Sequence, residues 1–215
     1  MLQNNRPLII GITGNVGSGK SALCHILTEL GFSVYNADTI ANQRLEDIAV
    51  INALVARYSS SILCGDNTLC MQPYRISRKK LADIVFSNRK EVEFLNSLIH
   101  PLVLKDMQEI VNNFAEQVLC FEVPLLFEAG LKECFDVLVL VTATEDIRLN
   151  RLVSRGESLE SSKKRMHNQI DDKNKRTQVD FLIENNGNLE DLSKKTKALA
   201  TEFIKLPFKN IRPFA

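Results

Sequence analysis

The chain has 215 residues, 45% apolar and 25% charged, with 27 Lys and Arg against 26 Asp and Glu and a formal net charge of +1. That size suits one compact α/β domain with room for a small inserted part. The charge balance gives no broad attraction for nucleic acid or anionic membrane. No apolar run approaches the roughly 18 residues that span a bilayer, and MLQNNRPLII lacks the charged, apolar and cleavage segments of a signal peptide. The five cysteines (Cys24, Cys64, Cys70, Cys120 and Cys134) are scattered, and none forms C-x-x-C. Reduced thiols and a cytoplasmic protein are expected, without zinc.

In chain order, PLIIGITG is a short Ile-rich run ended by glycine, the pattern of a buried parallel strand. GNVGSGKS follows at residues 14–21. SALCHILTELG then carries Leu23, Ile26, Leu27 and Leu30 at helical spacing, with Gly31 as its stop. FSVYNAD returns as a strand ending near Asn36, which completes a right-handed parallel unit. Asp38 to about Tyr58 reads as helical, and a turn-rich break centred on GDN comes next. Ser77 to about Glu116 is nearly all helix. There Asn88 with Glu91 spells a capping box, and Pro101 fits the first turn of a new helix.

QVLCFEVPLLF is a second buried strand running into a proline loop, and FDVLVLVTA is a third. TEDIRLNRLVSRG is a helix stopped by Gly156, and 157–177 is strongly charged. VDFLIENNG is the last strand, NLEDLSKKTKALATEFIK the last helix, and LPFKNIRPFA an irregular tail with no assigned role. Strands alternating with helices predict a doubly wound parallel sheet with helices on both faces. Ligands of such sheets lie beyond the carboxyl ends of the strands, which puts 14–21, Asp38, 124–128 and 142–144 along one edge.

The spacing G-x-x-x-x-G-K-S between a strand and a helix is the pattern of a phosphate-binding loop. Gly14, Gly17 and Gly19 let the backbone turn its amides inward, and Ser18 and Ala22 complete the stretch around the phosphates. The helix that follows offers its positive end. Lys20 reaches the β- and γ-phosphates of ATP, and the Ser21 hydroxyl binds Mg²⁺. No N-K-x-D base-reading motif follows Asp136 and no D-x-x-G switch follows the third strand, which excludes a GTPase. The chain is short for a motor. A small-molecule kinase with a lid over the phosphates remains.

Asp38, just after the second strand, has two readings: a carboxylate that takes or orients the proton of an attacking hydroxyl, or a helix N-cap. Glu122 ends VLCFE and either holds the metal through water or is an ordinary acid at a sheet edge. Arg148, Arg151 and Arg155 share a helix face. They either stabilise charge on the transferring phosphoryl group, with Arg151 the candidate catalytic residue, or form a solvated basic face. Lys163, Lys164, Arg165, Lys173, Lys175 and Arg176 read mostly as solvated. His100, before a proline, reads as structural.

Together GITGNVGSGKS, YNADTIA, RKKLADIVF, LNSLIHPLV, VPLLFEAG, RLNRLVSRG, RMHNQ and VDFLIENNG resemble the dephospho-coenzyme A kinase family, in that family's order over residues 8 to about 190. The resemblance implies a P-loop kinase fold with a helical acceptor-binding region over 60–116 and a small helical lid over 148–177. It implies transfer of the γ-phosphoryl of ATP to the ribose 3′-hydroxyl of dephospho-coenzyme A, with Mg²⁺. It makes Asp38 the base or hydroxyl-orienting residue and sets His100 with Pro124, Leu125, Phe127 and Glu128 around the acceptor. Arg151 and Arg155 would belong to the hinge or lid, Arg155 also touching the acceptor, and Arg165 to the lid. Asn185 and Gly187 would lie near the adenine. Three departures stand out: Asn36-Ala37-Asp38 where the family usually has D-A-D, GNVG where GGIG is common, and IDDKNKR where an E-K-rich pattern is usual. A monomer is expected, without nucleic-acid or membrane partners. The alternatives are a nucleoside or nucleotide kinase of the same fold, and a non-catalytic ATP-binding module.

Overall fold

PLIIGIT becomes strand β1 (Leu8–Thr13), buried at every position, in a computed structural model that describes residues 6–64, 75–85, 88–167, 169 and 172–214, without the side chain of Lys173. Helix α1 (Lys20–Glu29) and strand β2 (Ser33–Asn36) follow. After a helical stretch come β3 (Val118–Glu122), β4 (Val137–Thr142), helix α6 (Glu145–Ser154), two short helices α7 (Leu159–His167) and α8 (Asp172–Arg176), β5 (Phe181–Glu184) and α9 (Leu189–Phe203). The five strands form one sheet in the order β2-β3-β1-β4-β5, with every pairing parallel. This is the doubly wound α/β arrangement that the alternation of strands and helices predicts.

Side-chain alternation divides the sheet into two faces. Ile10, Ile12, Cys120, Val139 and Val141 point to one face, where Leu23 and Leu27 of α1 and Leu199 and Phe203 of α9 cover them. Ile9, Leu119, Phe121, Leu138 and Leu140 fill the other and are equally buried. There Phe121 meets Phe135 and Phe214 edge to face. The tail is irregular, as its prolines require, yet it is tied down. The Asp136 carboxylate, fully buried, accepts from Arg6 at 2.6 and 2.9 Å, from the Ile9 amide at 2.9 Å and from the Lys209 amide at 2.7 Å.

Two compact units divide the chain: one runs through Ala37 and resumes over Ile110–Phe214, and the other is Asp38–Glu109. The helices of the second are α2 (Ala37–Arg44), α3 (Ile48–Tyr58), α4 (Arg78–Val85) and most of α5 (Arg89–Asn113). Val50, Leu54, Ile62, Leu81, Val85 and Met107 are among its buried apolar residues. Arg44 pairs with both Asp106 and Asp47. Arg57 lies 4.3 Å above the Phe94 ring and pairs with Glu91 at 2.6 Å.

Three local expectations are corrected. Pro101 does not open a helix; it lies inside the continuous α5. Its missing N–H costs one ladder bond, which the turns on either side outlast. Asn88 does cap α5, but its side chain accepts from the Lys90 amide at 3.0 Å, and the Glu91 carboxylate goes to Arg57 and Tyr58 rather than back to the cap. A charged partner outcompetes the reciprocal box. Cys24, Cys120 and Cys134 are free and buried, whereas Cys64 is disulfide-bonded, so the expectation of reduced thiols fails there. The turn centred on GDN lies outside the described residues. Among the described residues no helix is long and apolar enough to cross a membrane.

Candidate functional site

Because all five strands are parallel, the loops that leave their carboxyl ends gather along one edge. Residues 14–19 leave β1, 124–130 leave β3, 143–144 leave β4 and Asn185 leaves β5. The loop after β1 turns into α1 through Gly19 at φ +100°, with no side-chain cap and no acidic residue in the first helical turn. The leading amides of α1 therefore keep their positive end unneutralised. Gly19 is required on two grounds: its φ is left-handed, and a Cβ there would collide with the Asn185 side-chain nitrogen.

The loop is held from outside itself. Asn185 Nδ2 donates to the Ser18 carbonyl at 2.8 Å. Arg151 donates to the Gly17 and Ser18 carbonyls at 3.3 and 3.2 Å and to the Asn185 carbonyl at 3.0 Å. Arg148, 8% exposed, donates from Nε to the Val16 carbonyl at 3.0 Å. The Val16 amide donates to Gln169 Oε1 at 2.8 Å. Lys20, nearly buried, turns its Nζ to the Asn15 carbonyl at 3.4 Å. Burial, and after it the nearby Arg155 charge, push the Arg151 guanidinium below its ordinary value.

Glu122 lies two residues beyond Cys120 and so points to the α1 face of the sheet. Its Oε1 accepts from Ser21 Oγ at 2.9 Å and its Oε2 from Asn36 Nδ2 at 2.7 Å. Strand register sets Asn36 beside Glu122. Burial, and after it the Glu122 charge, push the Cys24 thiol well up, which keeps it protonated and unreactive. Among the described residues no group of three or more His, Cys, Asp or Glu is placed to hold a metal. One hydroxyl beside one carboxylate nevertheless suits magnesium, which keeps several waters and takes further oxygens from phosphates.

Pro124, Leu125, Phe127 and Glu128 lie in successive turns after β3, with Leu125 half-exposed. Thr13 Oγ1 donates to the Pro124 carbonyl at 3.3 Å. An open cleft of about 810 Å³ is lined by Asn15, Glu145, Arg148, Lys163, Lys164 and Gln169 among others. Arg155 is exposed, as is Arg165, which pairs with Glu157 at 2.6 Å. Gly187 stands two residues beyond Asn185 and leaves no room for a Cβ against Asp191. In the other unit, Asp38 is exposed in the first turn of α2, two residues past the cap position, so it is not the helix cap. His100 is half-buried within α5.

Two expectations about the basic residues change. Lys175, expected in a solvated run, is 1% exposed. Arg148, one of three arginines on a face, is the buried one and grips the loop backbone. Gln169 carries no site signal in the sequence beyond its place in RMHNQ.

A family model described as dephospho-CoA kinase matches residues 8–191. A dephospho-CoA kinase of Fusobacterium nucleatum is 37% identical over 191 residues, 88% of this chain and 95% of that one. Among solved structures, TT1252 of Thermus thermophilus superposes with TM-score 0.78 at 32% identity, covering 91% of this chain and 97% of that one. A dephospho-CoA kinase from Campylobacter jejuni gives TM-score 0.65 at 27% identity, covering 92% and 97%.

Proposed function

This chain belongs to the dephospho-CoA kinase family, and from that premise we propose that it moves the γ-phosphoryl group of ATP to the ribose 3′-hydroxyl of dephospho-coenzyme A, giving coenzyme A and ADP. The observation that carries this reading is the phosphate loop with Ser21 set 2.9 Å from Glu122. That arrangement pairs a phosphate cradle with two oxygen donors at its rim.

The residues divide the work as follows. The loop amides and the start of α1 bind the phosphates, and Lys20 leaves the Asn15 carbonyl to pair with them. Arg151 adds positive charge where negative charge grows on the transferring group. Asn185 and Gly187 border the adenine, and Gly14, Gly17, Ser18, Gly19 and Ala22 complete the cradle. Ser21 and Glu122 are the residues that would hold Mg²⁺, whose chemistry is to offset phosphate charge. Asp38 accepts the proton of the 3′-hydroxyl as its oxygen bonds to phosphorus and the bond to ADP breaks. His100, Pro124, Leu125, Phe127, Glu128 and Arg155 bind the acceptor. Residues 60–116 serve the acceptor and 148–177 close as a lid that excludes water.

The test is ADP release with ATP and Mg²⁺, comparing dephospho-coenzyme A with AMP, CMP and no acceptor. Release that depends on dephospho-coenzyme A, with coenzyme A as product, is expected. Preference for a nucleoside monophosphate would replace this reading with a nucleotide kinase. Asp38→Ala is expected to lower turnover by about 10²- to 10⁴-fold with ATP binding retained.

A further inference from the structure

Lys175 lies in α8, inside the charged segment, yet it is 1% exposed. Its Nζ donates to Asn15 Oδ1 at 2.9 Å and to Glu128 Oε1 at 2.9 Å, and stands 5.9 Å from the centre of the Phe127 ring. Asn15 belongs to the phosphate loop, and its carbonyl accepts from Lys20. Phe127 and Glu128 belong to the loop after β3. One side chain thus joins two loops that leave neighbouring strands. Gln169 and Arg148 also grip the phosphate loop, at Val16, and Arg148 lies 3.7 Å from Asp172 at the start of α8. Of these three side chains, Lys175 is the one that reaches on to the second loop.

Stability is a poor account of this arrangement. A buried ion pair gains little over an apolar side chain of similar volume, because taking both charges out of water offsets their attraction. What a buried bridge supplies is a fixed distance between the groups it joins. We propose that Lys175 is a positioning residue for the phosphoryl transfer, holding the phosphate loop at Asn15 in register with the acceptor-side loop at Glu128. The inference rests on the function proposed above. It adds that the correct spacing of donor and acceptor depends on a side chain from the lid segment. Misplacement of reacting groups by about 1 Å costs on the order of 10²-fold in rate, so the effect belongs in kcat and not in nucleotide affinity.

The experiment compares wild type, Lys175→Met, Lys175→Arg, Asn15→Ala and the double variant that combines Lys175→Met with Asn15→Ala. It reads kcat, KM for dephospho-coenzyme A, ATP affinity by calorimetry and melting temperature. For Lys175→Met the expected result is a fall in kcat on the order of 10²-fold, with ATP affinity changed less than about tenfold, since Lys20 and the loop amides remain. Lys175→Arg, which can still bridge both loops, is expected to recover most of the loss. Adding Asn15→Ala to Lys175→Met is expected to cost nothing further, because the two changes break one connection. A Lys175→Met protein with wild-type kcat and only a lower melting temperature would overturn the inference while leaving the function standing. A wild-type protein without acceptor-dependent ADP release would overturn both. If Lys175→Met does not fold, Asn15→Ala alone decides: a reduced kcat at unchanged KM for dephospho-coenzyme A supports the inference, and an unchanged kcat defeats it.

Discussion

Ser21 Oγ donates to Glu122 Oε1 at 2.9 Å although 101 positions separate the two residues. Parallel pairing of β1 with β3 aligns Ile12 with Glu122, and alternation along β3 turns the carboxylate toward α1. Asn36 holds the other oxygen at 2.7 Å, so the acid is anchored without a second negative charge beside it. Glu122→Gln keeps the shape and removes the charge. We expect activity to fall about 10- to 100-fold and the Mg²⁺ needed for half-maximal rate to rise. A magnesium titration checks this, and an unchanged titration would overturn the magnesium role proposed for Glu122.

Gly19→Ala forces a side chain into a left-handed backbone position and against the Asn185 amide. Destabilisation of about 1–3 kcal/mol is expected from the backbone alone, together with loss of ATP binding as the loop shifts. Gly156→Ala is the control, since its φ is also positive but nothing lies within 4 Å of the added carbon. Thermal melting and nucleotide titration on both variants separate backbone strain from damage to the loop. Equal ATP affinity in the two would show that the Asn185 contact does not matter.

Arg6→Ala tests the clasp that joins the two chain ends. Asp136 is fully buried and Arg6 is its countercharge. Without Arg6 the carboxylate keeps two backbone donors but no cation, and a loss of about 3–5 kcal/mol is expected. Lys209→Ala removes a more exposed pair with Asp180 and should cost at most about 1 kcal/mol. Urea unfolding of the two variants measures the difference; similar losses would mean that burial of Asp136 is not what matters.

Glu91 accepts from Arg57 at 2.6 Å and from Tyr58 at 2.6 Å. These bonds lower its carboxyl from the ordinary 4.5 to about 2. A lowered folded-state value means that the contribution is complete above pH 4.5 and is lost as pH falls toward about 2. Glu91→Gln is therefore expected to flatten the acid side of the stability curve in that window and to leave its neutral side the same shape. The effect is modest because the pair is on the surface. Circular dichroism melts from pH 6 to about pH 2 check it; an identical acid slope in the variant would show that the pair is already broken in solution.

The strands, the phosphate loop and α1 were legible in the residues because each is specified by neighbours in the chain. Apolar alternation, glycines at turns and the spacing of Lys20 and Ser21 are contiguous signals. The continuation of α5 through Pro101 was not legible, because the loss of one hydrogen bond is local while the packing that outweighs it is not. Lys175 was hidden for the same reason: its segment is dense in charge, and nothing nearby in sequence marks the one lysine that is buried.

By itself, then, the sequence determined that this chain folds as a parallel α/β protein with a phosphate cradle at the end of its first strand. Local propensity and period are carried by adjacent residues. Only the tertiary structure decided which charged groups are buried and what they join: Glu122 to Ser21, Lys175 to Asn15 and Glu128, and Asp136 to Arg6. A buried charge needs a partner, and in these pairs the partner lies 47 or more positions away, so chain topology rather than sequence spacing brings it in.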